Sequence, residues 1–427
     1  MKVLQLLMSF VFVALLFVQC QKEEPVEIPM GVFTVSIENV SETFEFFQSG
    51  VFNTPAGATD PGPLLPGSSY SFSFHASKGH KLSFTTMFVK SNDLFYGTSD
   101  DGLDLFDGDN PVMGDITSMI SLWDAGTEVN QEPGVGSNQP LNQTGANTGP
   151  DESGNVMMVN DGFTYPNVDQ TIKVMLDYDG SSMFTVTIEN LALSTSPLAP
   201  GVWVVHDTPY ALFKSDTPDY GNGLEGLAED GSAGLLGDYL GMNSGYTSPL
   251  APGVWVVGSS NDMSIFNENM ADYGDGLEDL AENGDPSKLA TSIQAAGYES
   301  GIFSTPNGTG GPGPLLPGEK YSFTFNGEEG EYLQFASMLV HTNDLFFAPD
   351  EMGIKLFTGS VATNGDITAM IKLWDAGTEV NEFPGAGIHQ PARLNGGMDE
   401  NGNVVMVNDG FIYPNVDQII KVTITSY

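Results

Sequence analysis

The chain is 427 residues long, more than one hydrophobic core usually organises, and its 51 glycines and 26 prolines point to short strands joined by turns. Aspartate and glutamate outnumber lysine and arginine 55 to 13, and the resulting formal charge of -42 argues against nucleic acid and anionic membrane surfaces as partners and favours cations. With 1 cysteine, an internal disulfide is excluded.

In chain order, residues 1–19 read as a signal peptide: Lys2 precedes the apolar run VLQLLMSFVFVALLFVQ, which ends at Cys20. That cysteine resembles the lipidation site of a bacterial lipoprotein, with Leu16 to Gln19 in the place of the lipobox. The following QKEE resembles the tags that carry some lipoproteins to the outer face of the outer membrane. Residues 20–32 are then an acylated tether, and the expected location is the outer membrane, exposed at the cell surface; an ordinary secretory peptide, with the protein secreted or periplasmic, is the alternative. No second apolar run of membrane length follows, so the lipid is the expected membrane contact.

Downstream, the chain repeats itself. GVFNTP at 50–55 returns as GIFSTP at 301–306, PGPLLPG at 61–67 returns at 312–318, and SNDLF at 91–95 returns as TNDLF at 342–346. NDGFTYPNVDQ at 160–170 returns as NDGFIYPNVDQ at 408–418. The pair FTVSIEN (33–39) and FTVTIEN (184–190) is spaced more closely, so the second copy holds an insert. That insert is a tandem head segment, in which SPLAPGVWVV occurs at 196–205 and at 248–257, each followed by GLEGLAED or GLEDLAEN. The spacing predicts a first domain over 33–180 that lacks the head. It predicts a second over 184–427 that carries the head twice, at 196–247 and 248–299. Either the spare head completes the first domain by crossing over, or the first copy is reduced.

The elements are mostly strands. In FTVTIEN, Phe184, Val186 and Ile188 alternate with Thr185, Thr187 and Glu189, the period of a half-buried strand. Many short strands between Pro-Gly and Asn-Gly turns predict an all-β fold of two tandem antiparallel β-sandwiches. The GLEGLAED and GLEDLAEN segments predict short helices ended by Gly231 and Gly284.

LWDAGTEVN occurs identically at 122–130 and 373–381. Trp123 and Trp374 are expected to bury their indoles in the sandwich. Asp124 and Glu128, like Asp375 and Glu379, flank a glycine that lets the loop fold so that the two carboxylates converge. Convergent carboxylates repel and are stabilised by protonation or by a cation. Calcium suits an all-oxygen set, whereas zinc and copper sites need histidine or cysteine. Candidates for a third ligand are Asp93 and Asp344 in [ST]NDLF, and Asp115 and Asp366 in GDIT. Asp161 and Asp409, in NDG, look more like turn residues. Asp104 and Asp107 give way to Lys355 and Thr358 in the second copy and read as loop solvation. Tyr96 and Phe347 read as core or loop packing.

The combination of [ST]NDLF, GDIT, LWDAGTEVN and YPNVDQ resembles the spondin domain of extracellular matrix and bacterial surface proteins, over roughly 33–178 and 184–427. The resemblance implies a β-sandwich with calcium bound at one end. Its ligands would be Asp93, Asp124 and Glu128 in the first copy and Asp344, Asp375 and Glu379 in the second. Animal members carry aspartate where Glu128 and Glu379 stand, and they carry disulfides that this chain lacks. The expected function is a non-enzymatic, calcium-binding surface lipoprotein that serves in adhesion or binds an extracellular protein or glycan. A carbohydrate-active enzyme using Asp124 and Glu128 as paired carboxylates, or a passive envelope lipoprotein, are the alternatives.

Overall fold

A computed structural model describes residues 29–259, 264–391, 393 and 396–427; Cys20 and the signal segment lie outside these. Two antiparallel β-sandwiches account for most of the chain, each made of a four-stranded and a seven-stranded sheet. Among the described residues no helix is long and apolar enough to cross a membrane.

The alternating FTVTIEN strand forms as expected over Met183–Asn190, with Phe184, Val186 and Ile188 fully buried. Its placement differs from the predicted boundary. It pairs with Ile172–Tyr178 on one side and Ser69–His75 on the other, both in the first copy. The N-terminal strand Met30–Asn39 instead pairs with Lys320–Glu328 and Ile420–Ser426, both in the second copy. The two equivalent strands have therefore changed places relative to a simple tandem reading. A buried asparagine closes each arrangement. Asn190 donates to the carbonyls of Leu64 and Ser196, and Asn39 to those of Ser248 and Leu315. The first sandwich is thus a continuous segment of the chain, and it is inserted between the first strand and the remainder of the second.

The head segments divide evenly for the same reason. Leu198–His206 pairs with Gln48–Phe52 and Lys81–Phe88, so the first head belongs to the first sandwich. Leu250–Ser259 pairs with Glu299–Phe303 and Glu331–Leu339 in the second. Neither sandwich lacks a head and neither has two: the first head completes the first sandwich, and the N-terminal strand, not the head, is the piece that crosses over.

Each head strand is buried on both faces, which explains its continuous apolar run. Trp203 and Val205 point into the space between the sheets, where they join Phe72, Phe74 and Phe184. Val202 and Val204 point outward, beneath a layer formed by the helices Leu224–Asp230 and Gly234–Met242. The second copy repeats this with Leu277–Asn283 and Ser287–Ala295. Both predicted helices form, and Gly231 and Gly284 end them at φ 67°, the left-handed conformation favouring glycine. Trp123 and Trp374 are buried, but not between the sheets as expected. They lie on the outer face under the helices, against Phe213 and Phe266, with indole N–H groups donating to the carbonyls of Thr98 and Ala348. Alternation along a four-residue strand assigns a face only once a neighbouring strand fixes the register. Tyr96 and Phe347 are fully buried core residues.

Candidate metal centre

Ser121–Asp124 and Lys372–Asp375 each end at the first acid of the repeated motif. The Asp124 Oδ1 accepts the Gly126 N–H at 2.8 Å, and Gly126 takes φ 68°; a side chain there would strike the Asn155 backbone. This tight turn aims the next two amides back at the neighbouring loop. The Asp93 Oδ2 accepts the N–H groups of Thr127 at 2.8 Å and Glu128 at 3.1 Å, and the Thr127 hydroxyl at 3.3 Å. Asp344 makes the same three bonds at the same lengths with Thr378 and Glu379.

The other oxygen of the same carboxylate is unmatched. Asp93 and Asp344 are 0% exposed, yet their Oδ1 atoms are buried without a partner among the described residues. The side-chain oxygens of Asn130 and Asn381 are likewise buried and unpartnered. These two asparagines donate through their amide nitrogens to the Oδ2 of Asp124 at 2.8 Å and of Asp375 at 2.7 Å. Buried acceptors left unmade are costly and rare, and the same pair recurs in both copies.

Charge sharpens the problem. Burial pushes Asp93 above the usual carboxylate range, and the Asp124 charge adds to this. The same causes, burial first and then Asp375, push Asp344 up to about 7. Burial also raises Asp124 and Asp375. The ion pairs among the described residues all lie elsewhere. A raised folded-state pKa means that the folded chain holds more protons than the unfolded one between the ordinary carboxylate range and about 7. Stability from these groups is therefore present at low pH and lost as pH rises through about 7. Thermal melts in chelator should show a lower Tm at pH 8 than at pH 5; an unchanged or higher value would mean that the acids are already compensated.

The structure joins the predicted ligands only in part. Asp93 and Asp124 raise one another's charge cost, as do Asp344 and Asp375, while the carboxylates of Glu128 and Glu379 also bond neighbouring groups. Glu128 contributes its backbone N–H to Asp93, while its Oε2 accepts from the Asn92 amide at 3.2 Å and its Oε1, against the loop at Gly149, is buried without a hydrogen-bond partner among the described residues. Glu379 likewise accepts from Asn343 and from the Gly397 N–H. Among the described residues, no group of three or more Asp, Glu, His or Cys side chains is placed to hold a metal ion. What is present in each copy is two adjacent carboxylates and an amide oxygen, all hard donors.

The remaining candidates serve as turns. The Asp115 Oδ1 caps the Thr117 N–H at 3.0 Å, and Asp366 does the same for Thr368 at 2.9 Å. Asp161 and Asp409, expected as turn residues, accept the N–H of Phe163 and of Phe411 and a tyrosine hydroxyl. Asp104 is exposed and pairs with Lys81.

Two contributors were not singled out from the sequence. Asn130 and Asn381 complete LWDAGTEVN and were legible only as part of the repeat. Glu229 and Glu282, near the ends of the two short helices, rise to about 7 because burial and the charges of Glu128 and Glu379 outweigh bonds to Thr127 and Thr378. Their signal was retention of Ala-Glu in both heads; contact with the acidic loop is set by helix docking.

Neither a scan against protein-family models nor a search of curated proteins finds a match to this chain. Fold and site together define a tandem β-sandwich protein with one paired-acid loop in each sandwich.

Proposed function

We propose that each sandwich binds one calcium ion and that the protein is a non-enzymatic surface module for adhesion or extracellular ligand binding, of spondin type and lipid-anchored at Cys20. The observation that carries the reading is the fully buried Asp93 and Asp344, each with one unpartnered carboxylate oxygen beside a second acid and an unpartnered asparagine oxygen. A divalent cation satisfies all of these at once, and the donors suit calcium because every one is an oxygen. Asp93, Asp124 and Asn130 would hold the ion in the first sandwich, and Asp344, Asp375 and Asn381 in the second. Backbone carbonyls and water are the natural remaining ligands for a cation that takes six to eight oxygens. The bound ion would supply a positive charge that fixes the loop following each strand, so that the surface around it presents one shape to a partner. An affinity of about 10⁻⁴ to 10⁻³ M, that of extracellular calcium modules, suffices outside the cell.

Calcium titration calorimetry tests this reading. Two sites are expected in the unaltered protein and none in Asp93→Asn with Asp344→Asn. Binding that survives the aspartate changes, or no heat from the unaltered protein, would overturn it.

A further inference from the structure

Arg393 is the only arginine in a sequence of formal charge -42, and it lies where the two sandwiches meet. Its Nη2 donates to the Gly385 carbonyl at 2.6 Å, and its Nη1 sits at 3.4 Å from both the Gly387 carbonyl and the Gln390 Oε1. No carboxylate pairs with it among the described residues. The first copy shows that the loop itself needs no charge. Asn142 stands at the equivalent position and holds its loop through a 2.8 Å bond to the Gly136 carbonyl. The guanidinium is therefore an addition confined to the second copy, and it faces a cavity.

That cavity has a volume of about 260 Å³ and draws its lining from both sandwiches. Phe44, Phe47 and His80 come from one side; Pro249, Leu316 and His341 come from the other. The histidine protonation pattern follows from the hydrogen bonds. The Ser77 N–H donates to His80 Nδ1 at 3.2 Å, so the proton of the neutral ring is on Nε2, which has no partner among the described residues. His80 stays neutral because burial, with the Arg393 charge next, pushes it down to about 3. His80 thus offers a neutral N–H donor close to a fixed cation, among apolar walls. Two exposed acids, Glu45 and Asp207, also line the cavity. They raise the cost of admitting a dianion but leave a monoanion with one short, charge-assisted contact to Arg393. Glu382 is the acid whose charge acts on the guanidinium itself, without pairing with it.

We propose that this seam is a binding site for a monocarboxylate on a small apolar body, with Arg393 and His80 as its donors. The site joins the two sandwiches, so an occupant bridges them.

Saturation-transfer NMR with sodium benzoate, titrated into the full chain, is the test, with benzyl alcohol as the neutral analogue and inorganic phosphate as the dianion. Benzoate should bind saturably, benzyl alcohol and phosphate far more weakly. Arg393→Asn should weaken benzoate by about tenfold or more, since a charge-assisted bond is lost while the loop keeps the contact that Asn142 makes in the first copy. Leu316→Trp, which fills the cavity from a partly exposed wall, should abolish binding if Arg393→Asn fails to fold. Equal binding of benzoate and benzyl alcohol, unchanged binding in either folded variant, or no saturable signal from the unaltered protein would overturn the proposal.

Discussion

Millimolar calcium is expected to raise the melting temperature of the unaltered protein, and Asp93→Asn with Asp344→Asn to abolish that response while raising the melting temperature in chelator. The two signs together are diagnostic. An ion that binds only the folded state at about 100 times its Kd stabilises by about 2.7 kcal/mol. For a domain of roughly 200 residues that is a shift of about 5–10 °C. The asparagine change removes a buried charge held without an ion pair, which costs the folded protein free energy until a cation arrives. It also keeps an oxygen to accept the amides of Thr127 and Glu128, or of Thr378 and Glu379. A purely structural aspartate predicts the opposite sign in chelator, because losing a satisfied carboxylate destabilises. Differential scanning calorimetry in chelator and in calcium separates the cases.

Deleting residues 30–39 is expected to unfold the second sandwich and spare the first. Phe33, Val35 and Ile37 are fully buried in the second core, and their strand sits between Lys320–Glu328 and Ile420–Ser426. Removing buried side chains of this size costs about 2–5 kcal/mol each, which together approaches or exceeds the roughly 5–15 kcal/mol that holds a domain folded. The first sandwich loses nothing, because Met183–Asn190 fills the equivalent place. Calorimetry of the shortened chain should show the second-sandwich transition gone and the first near its original temperature. Loss of the first transition instead, or of neither, would contradict the strand assignment.

Much of the paired-acid site was legible because its residues recur. Asp93, Asp124 and their counterparts stand in motifs repeated almost letter for letter, and a turn glycine between two acids has a direct physical meaning. The surroundings of Glu128 and Glu379 were not legible, because a carboxylate one methylene longer can reach past the loop. Whether it does depends on Asn92 and Gly149, or Asn343 and Gly397, which lie far along the chain. Glu229 and Glu282 were missed because the helices bearing them dock on the sheet from a separate segment.

The sequence by itself determined that the chain is all-β, that it is built from two copies and two heads, which residues alternate along FTVTIEN, and where the short helices end. These follow from side-chain period, turn chemistry and self-similarity, all of which are local or comparative. Only the tertiary structure decided which strand belongs to which sandwich. FTVSIEN and FTVTIEN carry nearly the same pattern and fit either sheet equally well by composition. The choice is made by hydrogen-bonded neighbours and by Asn39 and Asn190 reaching their own head segments, contacts that no spacing along the chain encodes.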